Sequence, residues 1–231
     1  MQKKIYIICS LLLLSIFYTH FAFGQGVAGF QFSKPKQKFA RIPFQLHNNL
    51  IIIPVLLNQS KDTLRFILDT GVGNTILIDS SFIKKLAIDT QSRKVFIKGS
   101  GLGEQISTYI APLQKMSVQQ LIAPNTNILV CEKTLTYISE YAGITIHGIV
   151  GYDFFANLVV TIDYEQKELR VFNVEYFNKK AKKIPENQLY PIQIQKKKPY
   201  IKASISYDIS QNIPIQLLMD TGAGHSLSLD E

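Results

Sequence analysis

The sequence predicts a mostly β protein: one lobe of short strands with small helices, then the opening part of a second, similar lobe. Three observations carry this. From Ile42 onward, short apolar and β-branched stretches alternate with turn residues. Only one early stretch, "DSSFIKKLA", has a convincing helical texture. And "LRFILDTGVGNTILID" (Leu64 to Asp79) returns as "IQLLMDTGAGHSLSLD" (Ile215 to Asp230).

The chain of 231 residues opens with a segment that does not read as fold. "MQKK" is basic, "IYIICSLLLLSIFYTH" is apolar, and "FAFGQ" offers small residues for cleavage. Residues 1–24 therefore read as a secretory signal peptide cut after Gly24, which implies an extracytoplasmic destination, periplasmic or secreted. The apolar run falls short of the roughly 20 residues a spanning helix needs, so no stable membrane span is expected after cleavage. Cys131 is then the one cysteine left, no internal disulfide can form, and the core must hold the fold. Loss of Lys3 and Lys4 takes the formal charge from +8 to +6.

Residues 25–41 have no periodicity and read as a leader. "NLIIIPVLLN" is a strand whose Pro54 suggests an edge or a bulge, "QSKD" a turn and "TLRFILD" the returning strand. The helix after it has Asp79 or Ser80 available as N-cap. "RKVFIKG", "EQISTYIA", "LQKMSVQQLIA" and "NTNILVC" read as further strands, and "VVTIDYEQKELRVFN" as a hairpin. "GIVGYDFFAN" is apolar and glycine-punctuated, ending in a short helical turn. Lysines in "NKKAKK" and "KKK" read as solvated positions of a linker (175–189) and a hairpin. They are not interleaved with aromatics as a nucleic-acid surface requires.

The repeat aligns at an offset of 151: Asp69 with Asp220, Thr70 with Thr221, Gly71 with Gly222, Gly73 with Gly224 and Asp79 with Asp230. Upstream, "IPFQL" (Ile42 to Leu46) matches "YPIQI" (Tyr190 to Ile194) at an offset of 148. A hairpin three residues longer in the second copy accounts for the change. A single Asp-Thr-Gly is an ordinary turn sequence; two in the same apolar frame are a motif.

At these residues the sequence resembles the aspartic peptidase superfamily, in particular its retropepsin-like branch of secreted bacterial proteins. "ILDTGVGNT" and "LMDTGAGHS" fit its apolar-Asp-Thr-Gly pattern, and "IVG" (Ile149, Val150, Gly151) stands where its apolar-apolar-Gly segment belongs. The resemblance implies an acid-protease β-barrel lobe over 42–174 and the start of a second lobe over 190–231, whose remaining portion is expected to be truncated. It implies an aspartic-type endopeptidase with Asp69 and Asp220 as the catalytic pair, and a chain that, as a fragment, is expected to need the rest of lobe two, or dimerisation, for activity. Thr70 and Thr221 would cross-link the two loops, Gly71 and Gly222 admit backbone amides to the carboxylates, and Ile149, Val150 and Gly151 clamp the Asp69 loop. Two close carboxylates share one proton and titrate as a unit.

A flap over the substrate is expected at "KGSGLGEQIS", with Gly99, Gly101 and Gly103 at its tip; an ordinary glycine-rich turn is the other reading of those residues. Pepsin-like relatives often follow Asp-Thr-Gly with Ser or Thr, which favours the charged carboxylate. Val72 and Ala223 cannot, so activity reaching milder acid is expected. His47, His147 and His225 lack metal-ligand spacing, and no metal or cofactor is expected. His147 reads as packed or solvated, and Cys131 as a buried strand thiol.

The partner is a peptide or protein substrate, with a homodimer pairing Asp69 across two chains as an alternative if lobe two is absent. A non-catalytic peptide- or partner-binding or dimerisation module on the same fold is the alternative of a different class. Against it, two desolvated carboxylates held together have no evident use in a binder.

Overall fold

The computed structural model describes residues 29–89, 93–98, 105–181, 184–208 and 211–229. The chain is mostly β, as expected. The first copy contributes β1 (Gln31–Phe32), β2 (Phe39–Pro43), β3 (Gln45–His47), β4 (Leu50–Leu57), β5 (Leu64–Leu68) and β6 (Ile76–Leu77). After the short helix α1 (Phe82–Lys85) come β7 (Lys94–Lys98), β8 (Gln105–Val118), β9 (Leu121–Cys131), α2 (Thr136–Ala142) and β10 (Gly148–Val150). A 3-10 turn at Tyr152–Phe154 leads into the hairpin β11 (Leu158–Asp163) and β12 (Glu168–Asn173). Then follow α3 (Val174–Ala181), a second 3-10 turn, and β13 (Gln193–Gln195), β14 (Lys198–Asp208) and β15 (Gln211–Leu218).

Strand pairing closes a barrel in the first lobe. β9 pairs β6, β6 pairs β10, β10 pairs β5, β5 pairs β4, β4 pairs β8, and β8 returns to β9. Closure removes free edges, and the interior fills with Ile51, Ile53, Leu64, Phe66, Leu68, Leu77, Met116 and Val130, all buried. The separate sheet β11-β12-β2 closes the lobe beneath, through Val171 and Leu169. Cys131 lies buried at the end of β9, where burial pushes its thiol up to about 11.

Several elements differ in detail from expectation. Pro54 is neither on an outer edge nor in a bulge. It pairs Arg65 on one side, and on the other falls between the stretch of β4 that pairs β3 and the stretch that pairs β8. A residue without an N–H fits that gap. From Gln105 onward, the stretch expected as "EQISTYIA" and the residues after it are one 14-residue strand, β8, which runs through Pro112 by shifting register near Leu113. "LQKMSVQQLIA" instead contains the β8–β9 turn, with Gln119 at φ +49°. The N-cap of α1 is Ser81, one residue beyond the expected positions, because Asp79 Oδ1 accepts Ser81 N at 3.0 Å and holds a turn ahead of the helix. α2 and α3 are not among the expected elements; α3 occupies part of the stretch expected as a basic linker.

The repeat is preserved in strand register. Leu46 faces Ile51 and Gln45 faces Ile52 across β3–β4, while Ile194 faces Pro199 and Gln193 faces Tyr200 across β13–β14. Ile53 faces Phe66 across β4–β5, and Ile201 faces Leu217 across β14–β15. Equivalent residues pair with equivalent residues, so β13-β14-β15 is a structural copy of β3-β4-β5.

Candidate active site

Asp69 follows β5, and Asp220 follows β15. The apolar strands fix where each turn begins, and the turns meet between the two copies. Gly71 N donates to Asp69 Oδ1 at 2.7 Å, and Gly222 N donates to Asp220 Oδ1 at 2.8 Å. The carboxyls themselves are hydrogen-bonded to each other. Each glycine lies against the carboxyl of the opposite copy. A Cβ on Gly71 would stand 2.6 Å from the Asp220 carboxyl carbon, and one on Gly222 would collide with the Asp69 carboxyl. No side chain fits there.

Beneath the acids the threonines are interlocked. Thr70 N donates to Thr221 Oγ1 at 3.1 Å, and Thr221 N donates to Thr70 Oγ1 at 3.0 Å. The hydroxyls pass on to the strands: Thr221 Oγ1 donates to the Leu68 carbonyl at 2.9 Å, and Thr70 Oγ1 to the Met219 carbonyl. Four bonds thus tie the two copies at one point.

The Ile149–Gly151 segment lies behind the first loop. β10 runs parallel to β5, with Ile149 facing Ile67 and Val150 facing Leu68, and antiparallel to β6. Asp69 N donates to the Val150 carbonyl and Tyr152 N to the Val72 carbonyl, each at 2.9 Å. Gly151 abuts the Val72 carbonyl closely enough to exclude a Cβ. Next to it, Asp153 is buried and accepts Thr75 N at 3.2 Å and Thr75 Oγ1 at 3.0 Å, which fixes the far end of the loop.

Burial, above all, pushes the Asp69 carboxyl up to about 7; the charge and hydrogen bond of Asp220 act in the same direction. The Gly71 amide and the Lys198 charge oppose them. Two close carboxyls can hold one proton between them and present one carboxylate and one carboxylic acid to the same water.

The expected residues Asp69, Asp220, Thr70, Thr221, Gly71, Gly222, Ile149, Val150 and Gly151 therefore come together. Gly99, Gly101 and Gly103, expected at a flap tip, lie outside the described residues, as do the signal segment 1–24 and Asp230. Among the described residues no group of His, Cys, Asp and Glu is placed to hold a metal ion. His147 is packed: its Nδ1 accepts Arg65 N at 3.0 Å, and its ring meets Phe82 edge-on. No helix among the described residues is long and apolar enough to cross a membrane.

Sequence reasoning missed Asp153, the turns Asn48–Asn49 and Lys196–Lys197, and Tyr141, whose carbonyl accepts Asn48 Nδ2 and whose hydroxyl lies against Gly224. The repeat alignment was the available signal for the turns, since it sets the two asparagines opposite the two lysines.

A family model described as aspartyl protease matches residues 53–154. Among solved structures, a retropepsin-like aspartic protease from Rickettsia conorii is similar at 17% identity and a TM-score of 0.41, covering 58% of this chain and 89% of that one. EIAV protease complexed with an inhibitor is similar at 22% identity and a TM-score of 0.30, covering 44% and 81%. A search of curated proteins returned no match.

Proposed function

We infer, from the membership of residues 53–154 in the aspartyl protease family, that the protein is an aspartic-type endopeptidase that hydrolyses peptide bonds through a water held between Asp69 and Asp220. The observation that carries this reading is the reciprocal seating of the two acids, each held by its own glycine amide and pressed against the other copy's glycine. With one proton on the pair, the ionised carboxylate takes a proton from water as its oxygen bonds to the scissile carbonyl carbon. The protonated carboxyl donates its proton to the carbonyl oxygen. Collapse of the tetrahedral diol breaks the C–N bond: the carboxyl that took the water proton gives it to the leaving amine, and the other carboxylate takes a proton from a diol hydroxyl, which restores one proton on the pair. The interlocked threonines hold both acids still, so little reorganisation accompanies the reaction. They also support pairing within one chain over pairing of Asp69 between two copies.

The test is peptide cleavage by the full-length gene product, compared with Asp69→Asn and Asp220→Asn, with and without a statine-type inhibitor. Each substitution is expected to lower kcat/KM by about a thousandfold. Unaltered cleavage in both variants, or none by the wild-type protein, overturns the assignment. The N-terminal 24 residues support an extracytoplasmic location, and N-terminal sequencing of the exported product is expected to begin at Gln25.

A further inference from the structure

Two hairpin turns flank the acid loops and are related by the repeat. Asn48 and Asn49 join β3 to β4 with φ of +45° and +63°; Lys196 and Lys197 join β13 to β14 with φ of +49° and +65°. Each turn leans on the opposite copy's acid loop. Asn49 Nδ2 donates to the Gly224 carbonyl at 3.1 Å, and Lys197 Nζ donates to Asn74 Oδ1 at 3.2 Å. A Cβ on Gly73 would meet the Lys196 carbonyl at 3.2 Å, and one on Gly224 the Asn48 carbonyl at 3.4 Å.

The turns share backbone conformation and lean on equivalent loops, although Tyr141 packs against the first turn alone; their charge differs outright. One turn carries neutral amides, the other consecutive ammonium groups. The next position repeats the contrast: Leu50 is buried in the first copy, whereas its counterpart Lys198 is half-buried and acts on Asp69 through its charge. No ion pair among the described residues engages Lys196, Lys197 or Lys198. Conformation adds a second observation. Asparagine tolerates the left-handed region, whereas lysine rarely adopts it. Two successive lysines there, where the sister turn uses two asparagines, are a local cost of the kind retained at functional sites.

We propose that Lys196, Lys197 and Lys198 form a cationic rim on the Asp69 side of the site that selects peptide substrates carrying an acidic side chain on that side of the cut. The Asn48–Asn49 rim leaves the other side without that preference. The proposal rests on the peptidase reading and deepens it.

The experiment uses the full-length product and matched peptides with Glu or Gln at each position flanking the cut. Glu is expected to raise kcat/KM about five- to tenfold on one side only, an effect that shrinks in about 0.5 M salt. In the double variant Lys196→Asn/Lys197→Asn, which copies the sister turn, the Glu/Gln ratio falls toward one. In Lys196→Arg/Lys197→Arg it persists. Anisotropy binding of the same peptides to the Asp220→Asn protein is expected to show the same ratio without chemistry. Preferential Glu binding with no wild-type cleavage overturns the peptidase reading and leaves the rim standing. Cleavage with no Glu preference, or with equal preference on both sides, overturns the rim alone.

Discussion

The raised Asp69 carboxyl links the site to stability as well as to chemistry. Asp69 is raised from its ordinary 3.8 to about 7, chiefly by burial, so the folded protein holds that proton more tightly than the unfolded chain. A raised carboxyl contributes stability that is full below about pH 4 and is lost as pH rises through about 7. The wild-type Tm is therefore expected to fall between about pH 4 and pH 7 relative to Asp69→Asn, which lacks the titrating group. Calorimetry across that range checks it; parallel profiles for the two proteins would refute the shift. Cleavage is expected to decline above about pH 7, where the pair no longer keeps its proton. The missing hydroxyl at Val72 and Ala223 points to the mild range; burial is the largest cause of the Asp69 shift, and a tripeptide motif carries no information on it.

At the scale of elements, the rigidity of the acid loops comes from what passes behind and beneath them. β10 lies between β5 and β6 and holds both Asp69 N and the strand preceding it. Gly151→Ala places a methyl group against the Val72 carbonyl and is expected to destabilise by about 1–3 kcal/mol and to lower kcat with it. Thr70→Val leaves Thr221 N without its acceptor and frees the Met219 carbonyl, a loss of about 1–3 kcal/mol in denaturant unfolding. Because both threonines act as one unit, Thr70→Val/Thr221→Val should cost less than the two single changes together. Strand runs and turns were legible from alternation and turn residues alone. The continuous β8 was not, because Pro112 and a register shift interrupt its pattern, and α2 was not, because "TYISEYA" has no capping residue to announce it.

At the scale of the whole molecule, equivalent residues have unequal surroundings. Phe44 and Leu68 are 5% and 0% exposed in the first copy; their counterparts Ile192 and Met219 are 55% and 46% exposed. Ile192, Ile194, Pro199 and Met219 face Phe155, Val160, Ile162 and Tyr164 across a cavity of about 990 Å³ beneath Thr70 and Thr221. No described residue of β13, β14 or β15 is buried, and a sheet with so little burial opens more readily. In the 231-residue chain, amides of β14 and β15 are expected to exchange hydrogen at least about tenfold faster than those of β4 and β5, and an apolar dye is expected to bind that chain. Equal protection in the two sheets would contradict the exposed face.

The sequence by itself determined the β character, the duplicated acidic turns and the identity of the groups that meet, because periodicity, turn chemistry and an internal repeat are local properties of the chain. Only the tertiary structure shows that Asp69 and Asp220 stand side by side with Asp69 largely buried, that Gly151 braces the Val72 carbonyl, and that each hairpin turn leans on the opposite copy's acid loop. These depend on residues about 80 to 150 positions apart being brought into contact, and close approach, desolvation and charge asymmetry exist only once the two copies face each other.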